Sequence, residues 1–198
     1  MTTGPADRPA AELMAFDETE LVGVRFVGGA YAGADLIELR TRGVVFEDCD
    51  FSHARLSSSE HVGSAFLRCT FRDAVLRDAV FDECKLTGSD LSGATLRPLR
   101  VIGGDWSYVT IRGTDVTGVD FSGVKLAEAD LSESTLHRAL LRDCDLRHAR
   151  VHHTDFADAD LRGADLEGVD LLSGSWRGTH VDLAQSGLFA IALGLVVD

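Results

Sequence analysis

The side chains of this 198-residue chain that could do chemistry are its four cysteines, seven histidines and 32 carboxylates. The spacing of Cys49, Cys69, Cys84 and Cys144 along the chain matches no zinc motif. His148, His152 and His153 cluster in sequence and could collect a metal, but no acid or cysteine completes a recognisable ligand set beside them. His61, in the run Ser59-Glu60-His61-Val62-Gly63, has no nucleophile or acid paired with it and reads as a hydrogen-bonded core histidine. The sequence contains no phosphate-binding loop, nucleophile elbow or catalytic acid pair. These residue types predict a protein that is not an enzyme and uses no metal or cofactor.

The carboxylates fall instead into a rhythm. Between Thr154 and Asp170 a unit of five residues repeats: a small residue, Asp, a large apolar residue, then two polar or glycine positions. The large residues, here Phe156, Leu161 and Leu166, mark the centre of each unit. Stepping by five from them never leaves the register between Phe16 and Val181, and only Thr41 and His61 occupy a centre without being apolar. A short period held without a slip is the signature of a solenoid. None of the 51 charged residues occupies a centre or the small position two before it, as expected if both point inward, where an unpaired charge is costly. The predicted core therefore includes Phe46, Phe66, Phe71, Phe81, Leu126, Leu146, Phe156, Leu161 and Leu166. All four cysteines take the small inward position and read as buried. Of the 20 glycines, 14 fall two residues after a centre, where a tight turn uses them.

Two places break the rhythm. Leu39 and Thr41 suggest a local bulge. Leu96–Thr110 is the weakest part of the repeat, with Pro98 at a turn position and oversized Leu99 and Val109, and predicts a kink or a change of turn type.

The formal net charge of -13 argues against direct nucleic-acid binding and for a basic partner surface. Residues 1–15 read as a flexible tail without a signal sequence, residues 16–181 as the repeat domain, and 182–198 as a capping and dimerisation unit made of a helix and a last strand. Asp182 is placed to cap that helix and Gly194 to close it. The apolar tail is too short to span a bilayer, which takes about 20 residues, so a cytoplasmic protein is expected. Leu183, Leu188, Phe189, Ile191, Ala192, Leu193, Leu195 and Val196 are more apolar surface than one short helix buries. They are predicted both to cover the open end coil and to join a second copy.

The five-residue pattern closely resembles the pentapeptide-repeat family over nearly the whole chain. The resemblance implies an all-β solenoid, a right-handed quadrilateral β-helix in which four repeat units make one coil. About 8–9 coils at a spacing of about 4.8 Å would make a rod roughly 40 Å long. Within the family the chain resembles the mycobacterial fluoroquinolone-resistance (MfpA/Qnr-like) branch. That match rests on Ser59–Phe66, on Leu96-Arg97-Pro98-Leu99 and on Val181-Asp182-Leu183-Ala184-Gln185.

This branch implies a homodimer joined through the C-terminal ends, duplex-DNA mimicry and binding to DNA gyrase. The outcome would be fluoroquinolone or gyrase-toxin resistance. Two rods end to end would span roughly 80 Å, about 24 base pairs. Residues 101–198 carry 16 acidic and 8 basic side chains against 16 and 11 in residues 1–100. The acids nominated to face the basic DNA-binding saddle of gyrase are accordingly Asp145, Asp155, Asp160, Asp165, Glu167 and Asp170. The alternative is a non-catalytic protein–protein interaction scaffold unrelated to topoisomerases.

Overall fold

The structure, a computed structural model, describes residues 6–8 and 20–197; Phe16 and most of the segment read as a tail lie outside the described residues. Among the described residues nine short strands precede one helix: β1 (Ala6–Arg8), β2 (Glu20–Val22), β3 (Val24–Val27), β4 (Arg40–Arg42), β5 (Val45–Glu47), β6 (Glu60–Val62), β7 (Ala65–Leu67), β8 (Ala79–Asp82), β9 (Leu99–Ile102) and α1 (Leu183–Ala192). The strands form two parallel sheets, ordered β1-β3-β5-β7 and β2-β4-β6-β8-β9. Past β9 the same stacking continues as isolated parallel bridges. Ala6–Arg8 is not loose chain: it pairs in parallel with β3 and extends the first sheet by one strand.

The register is one coil per twenty residues. Seven successive steps of twenty lead from Arg25 through Val45, Ala65, Lys85, Asp105 and Lys125 to Asp165 by way of Asp145. Three further ladders start from Glu20, Ala30 and Asp35, the first passing through Arg40. Four ladders make a four-sided β-solenoid. We number its faces from one to four by their starting residues, 24–28, 29–33, 34–38 and 39–43.

The interior follows from the period. Every centre from Leu21 to Leu171 is buried. In the N-terminal half the centres are mostly aromatic and stack in columns. Phe26, Phe46 and Phe66 lie at centroid spacings of 5.2 and 4.9 Å, and Tyr31, Phe51 and Phe71 at 5.0 Å. Thr41, expected at a bulge, instead holds the regular register opposite His61. The pair is accommodated because each side chain finds polar partners inside.

The corners show what the glycine count only hinted at. The residue two after a centre takes a left-handed backbone, and sixteen non-glycine residues, Asp48, Arg68, Glu128 and His148 among them, do so as well. Stacking imposes the conformation, since an L-residue there costs about 1–2 kcal/mol. Pro98 occupies such a corner and cannot adopt it, because its ring locks φ at a negative value. It also lacks the N–H that other corner residues donate to the next coil, as Ser58 does to Arg77. At this coil two ladders stop. No bridge joins Thr95 to Asp115 or Arg100 to Asp120, and among the described residues no backbone hydrogen bond joins 94–103 to 114–123. The irregularity expected at Leu96–Thr110 is thus an open seam across faces three and four.

Gly104 lies just past the seam with φ +97, and a Cβ there would run into the Cys84 carbonyl. Gly113 has φ +68 and open space around it. Gly113→Ala should cost about 1–2 kcal/mol, the backbone penalty alone. Gly104→Ala should cost more than about 3 kcal/mol. Urea unfolding of the two variants measures the difference.

Candidate functional site

The aspartate that precedes each centre has a local task. Its Oδ1 accepts the N–H of the residue two positions on, as in Asp50 with Ser52 (2.9 Å), Asp115 with Thr117 (2.9 Å) and Asp165 with Glu167 (3.0 Å). This Asx turn holds the corner. It accounts for the aspartates' recurrence without a ligand and leaves the second carboxylate oxygen free of the corner.

The six nominated acids do not share one face. Asp145, Asp165 and Glu167 lie on face one, where Asp145 stacks in register on Asp165. Asp170 lies on face two, Asp155 on face three and Asp160 on face four. A period of five puts successive units on successive sides, so neighbours in sequence are not neighbours on the surface.

Several of these acids are partly neutralised. Arg147 binds Asp145 at 2.7 Å and reaches Asp165 at 3.7 Å. Its hydrogen bond holds the Asp145 carboxyl below the usual range. Asp160 is only 5% exposed and lies between Arg162 and Arg142, whose hydrogen bonds keep it strongly acidic. Asp155 is lowered by its bond from His137, 2.6 Å away. Of the six, Glu167, Asp165 and Asp170 are the more open carboxylates. On each of the four faces acidic residues outnumber basic ones.

The other chemical candidates are internal. His61 is fully buried, with Nδ1 2.7 Å from Thr41 Oγ1 and Nε2 3.0 Å from Ser59 Oγ. Thr41 in turn meets Ser64 Oγ at 2.9 Å. Burial lowers the imidazole to about 3, so it is neutral and sealed from any substrate. The thiols of Cys49, Cys69, Cys84 and Cys144 are buried and free. Each points at the carbonyl of the centre 23 residues earlier, as Cys144 does to Phe121 at 2.9 Å. Ser89, Ser134 and Thr154 donate to the equivalent carbonyls. The inward cysteines are therefore small polar caps as well as fillers, a role the apolar reading missed. Burial raises Cys84 to about 11 and Cys144 to about 12. Among the described residues no group of His, Cys, Asp and Glu could hold a metal ion.

The C-terminal unit closes the end coil. Asp182 caps α1 through a reciprocal bond with Gln185, and Gln185 Nε2 donates to the Leu161 and Ala164 carbonyls at 2.6 and 2.8 Å. Phe189 packs edge-on against Trp176 at 5.2 Å, and Ala192 also packs on the core. Leu183, Leu188, Ile191, Leu193, Leu195 and Val196 stay exposed. The expected last strand at 195–197 is absent. Gly194, with φ +82, gives its N–H to Ile191 and Leu195 gives its own to Ala190, a Schellman ending that turns the chain back on the helix. No helix among the described residues is long and apolar enough to cross a membrane.

A four-sided β-solenoid with this repeat defines the class, and sequence comparison agrees. The Pentapeptide repeats family model matches eight copies over residues 65–97, 107–143 and 139–171. The chain belongs to the pentapeptide-repeat proteins. The matched copies stop at 97 and resume at 107, on either side of the coil that opens the seam. Among curated proteins the chain is similar to pentapeptide repeat protein MfpA of Mycobacterium tuberculosis, 40% identical over 78 residues, 39% of this chain and 43% of that protein. It is also similar to MfpA of Mycolicibacterium smegmatis, 48% identical over 60 residues, 30% of this chain and 31% of that protein. The matched segments span less than half the length of these relatives. Trypsin-treated QnrB1, a plasmid-mediated fluoroquinolone resistance protein, shares the fold with a TM-score of 0.79 at 20% identity, covering 90% of each chain.

The buried His61 makes a pH prediction. Its folded value of about 3 lies below the unfolded value near 6.5, so the unfolded state takes up the proton first. The stability His61 permits is complete above about pH 6.5 and falls as pH drops toward 3, by about 1.4 kcal/mol per unit in the steep region. Between about pH 6.5 and 5.5 carboxylates contribute little to the slope, and below about pH 5 the lowered aspartates add to it in the same direction. His61→Phe, which keeps the ring packing against Phe66 and Phe81, should flatten this window in urea titrations at stepped pH.

Proposed function

We propose that this chain is a gyrase-binding DNA mimic of the fluoroquinolone-resistance type, acting as a non-catalytic homodimer. The observation that carries the reading is the acidic excess on every side of a rod, in a chain similar to MfpA. Duplex DNA carries phosphate all around its axis, so a mimic needs charge on several faces and not one stripe. The scatter of Asp145, Asp165 and Glu167 on face one, Asp170 on face two and Asp155 on face three fits that requirement, whereas Asp160 is buried between two arginines. The charge of duplex DNA, one per ~1.7 Å of axis, is far denser than this rod's, so recognition depends on local carboxylates. Asp145, Asp165 and Glu167 form the best-grouped set near the C-terminal end.

The measurement is gyrase supercoiling with rising amounts of purified protein, with and without a fluoroquinolone, at two salt concentrations. Inhibition or drug protection that weakens with salt is expected. An absence of both leaves the unrelated-scaffold reading in its place. Asp145→Asn with Asp165→Asn and Glu167→Lys keeps oxygens able to hold the corners while removing charge. Its effect should be a weakening of about tenfold or more, and unchanged inhibition would sink this placement.

The second copy is proposed to dock on the exposed side of α1. Phe189 serves the chain's own cap, so the informative change is Leu188→Asp with Ile191→Asp, both exposed. Light scattering should then report a monomer while circular dichroism keeps its native form. A wild type that is already monomeric would reduce the tail to a cap.

A further inference from the structure

The seam divides the solenoid into two bodies that differ in how they are joined. On faces one and two the ladders cross the middle of the chain unbroken, Lys85 to Asp105 to Lys125 and Asp90 to Thr110 to Asp130. On faces three and four they stop and leave a cleft of about 690 Å³ lined by Thr95, Leu96, Pro98, Leu99, Asp115 and Val119. The coil bordering it belongs to the N-terminal body. β9 pairs with β8 over four residues, and Gly104 draws the chain tight against Cys84. Beyond the cleft, Asp115 and Asp120 rejoin regular stacking with Thr135 and Leu140.

What crosses the cleft is weak. Arg97 pairs with Asp115, and the two side chains are 44% and 55% exposed, so solvent screens the bond. The core beside it is also suited to motion. Trp106, on the still-bonded side, meets Phe81 of one body and Phe121 of the other edge-on at 5.6 and 5.9 Å. Its buried indole N–H has no hydrogen-bond partner to fix the ring. The in-register ring stacks, Phe26–Phe46–Phe66 in the N-terminal body and Phe156–Trp176 in the C-terminal one, stop short of the seam on either side.

We propose that the seam is a hinge. The two halves tilt about the corner between faces one and two, the cleft opens and narrows at the corner between faces three and four, and the Arg97–Asp115 pair is the strap across it. Resting on the gyrase reading, the hinge supplies what a rod of constant rise lacks, a way to follow a curved basic groove along its length.

The test is made on the free full-length protein, so it does not depend on gyrase. Spin labels on Ser58→Cys with Arg138→Cys sit at the opening corner, four coils apart, about 19 Å along the axis. Labels on Arg68→Cys with His148→Cys span the same four coils at the hinge corner. The native cysteines are buried and stay unlabelled. Pulsed electron resonance should give a distance distribution about twice as wide for the first pair as for the second. Equal widths overturn the hinge. Pro98→Gly supplies a residue that can take the left-handed corner and donate its N–H, and should narrow the Ser58–Arg138 distribution to that of the control pair. A width unaffected by Pro98→Gly overturns the assignment of the motion to this seam. A moving hinge in a protein without effect on gyrase would refute the partner and leave the hinge standing.

Discussion

Parallel stacking in register, each residue over the one twenty positions earlier, is the constraint to which the other features answer. It places like over like: phenylalanine on phenylalanine in the first half, leucine on leucine in the second, with a hydroxyl or thiol set against a carbonyl of the preceding coil. Because each coil is bonded to the next on four sides, the chain needs a sharp corner every fifth residue. That corner is left-handed whether or not the residue there is glycine. The sixteen non-glycine corners show the stacking energy exceeding local backbone preference.

The same constraint explains the polar interior. A centre that is not apolar must be satisfied within its own layer or by the layer beside it, and Thr41, His61, Ser59 and Ser64 do this together. Removing Thr41 would leave His61 Nδ1 buried without its partner. The cysteines share this pattern of carbonyl partners, and burial raises the Cys84 and Cys144 thiols.

Outside, the turn-forming aspartates link fold and function. Each such carboxylate has one oxygen committed to its corner and a second left for an arginine, a histidine or solvent, so the repeat that builds the rod also gives it negative charge. Arginines two residues on or one coil away temper that charge unevenly, and Asp160 is nearly removed from the surface. A partner therefore meets a pattern of local carboxylates spread around the axis, on a body whose two halves are joined more firmly along one corner than along the opposite one.

Much of this was legible in the chain before any coordinates. The period identified the inward positions, because charge avoids them and Phe, Leu and Ala fill them. Asp182 and Gly194 marked the ends of α1, since caps are local chemistry. The tertiary structure alone decided the rest. A step of five residues says nothing of which side of a coil it lands on until coils are stacked, so the grouping of Asp145 with Asp165 and Glu167 apart from Asp155, Asp160 and Asp170 was hidden. Pro98 was visibly irregular in sequence. That it opens two ladders and spares two depends on the left-handed corner it cannot adopt and on bonds to a coil twenty residues away. Leu195–Val197 reads as a strand by propensity, yet the hydrogen bond from Leu195 to Ala190 turns it back onto the helix. Local chemistry determines caps and periods, whereas facing, burial and breaks arise only when distant segments share the same bonds.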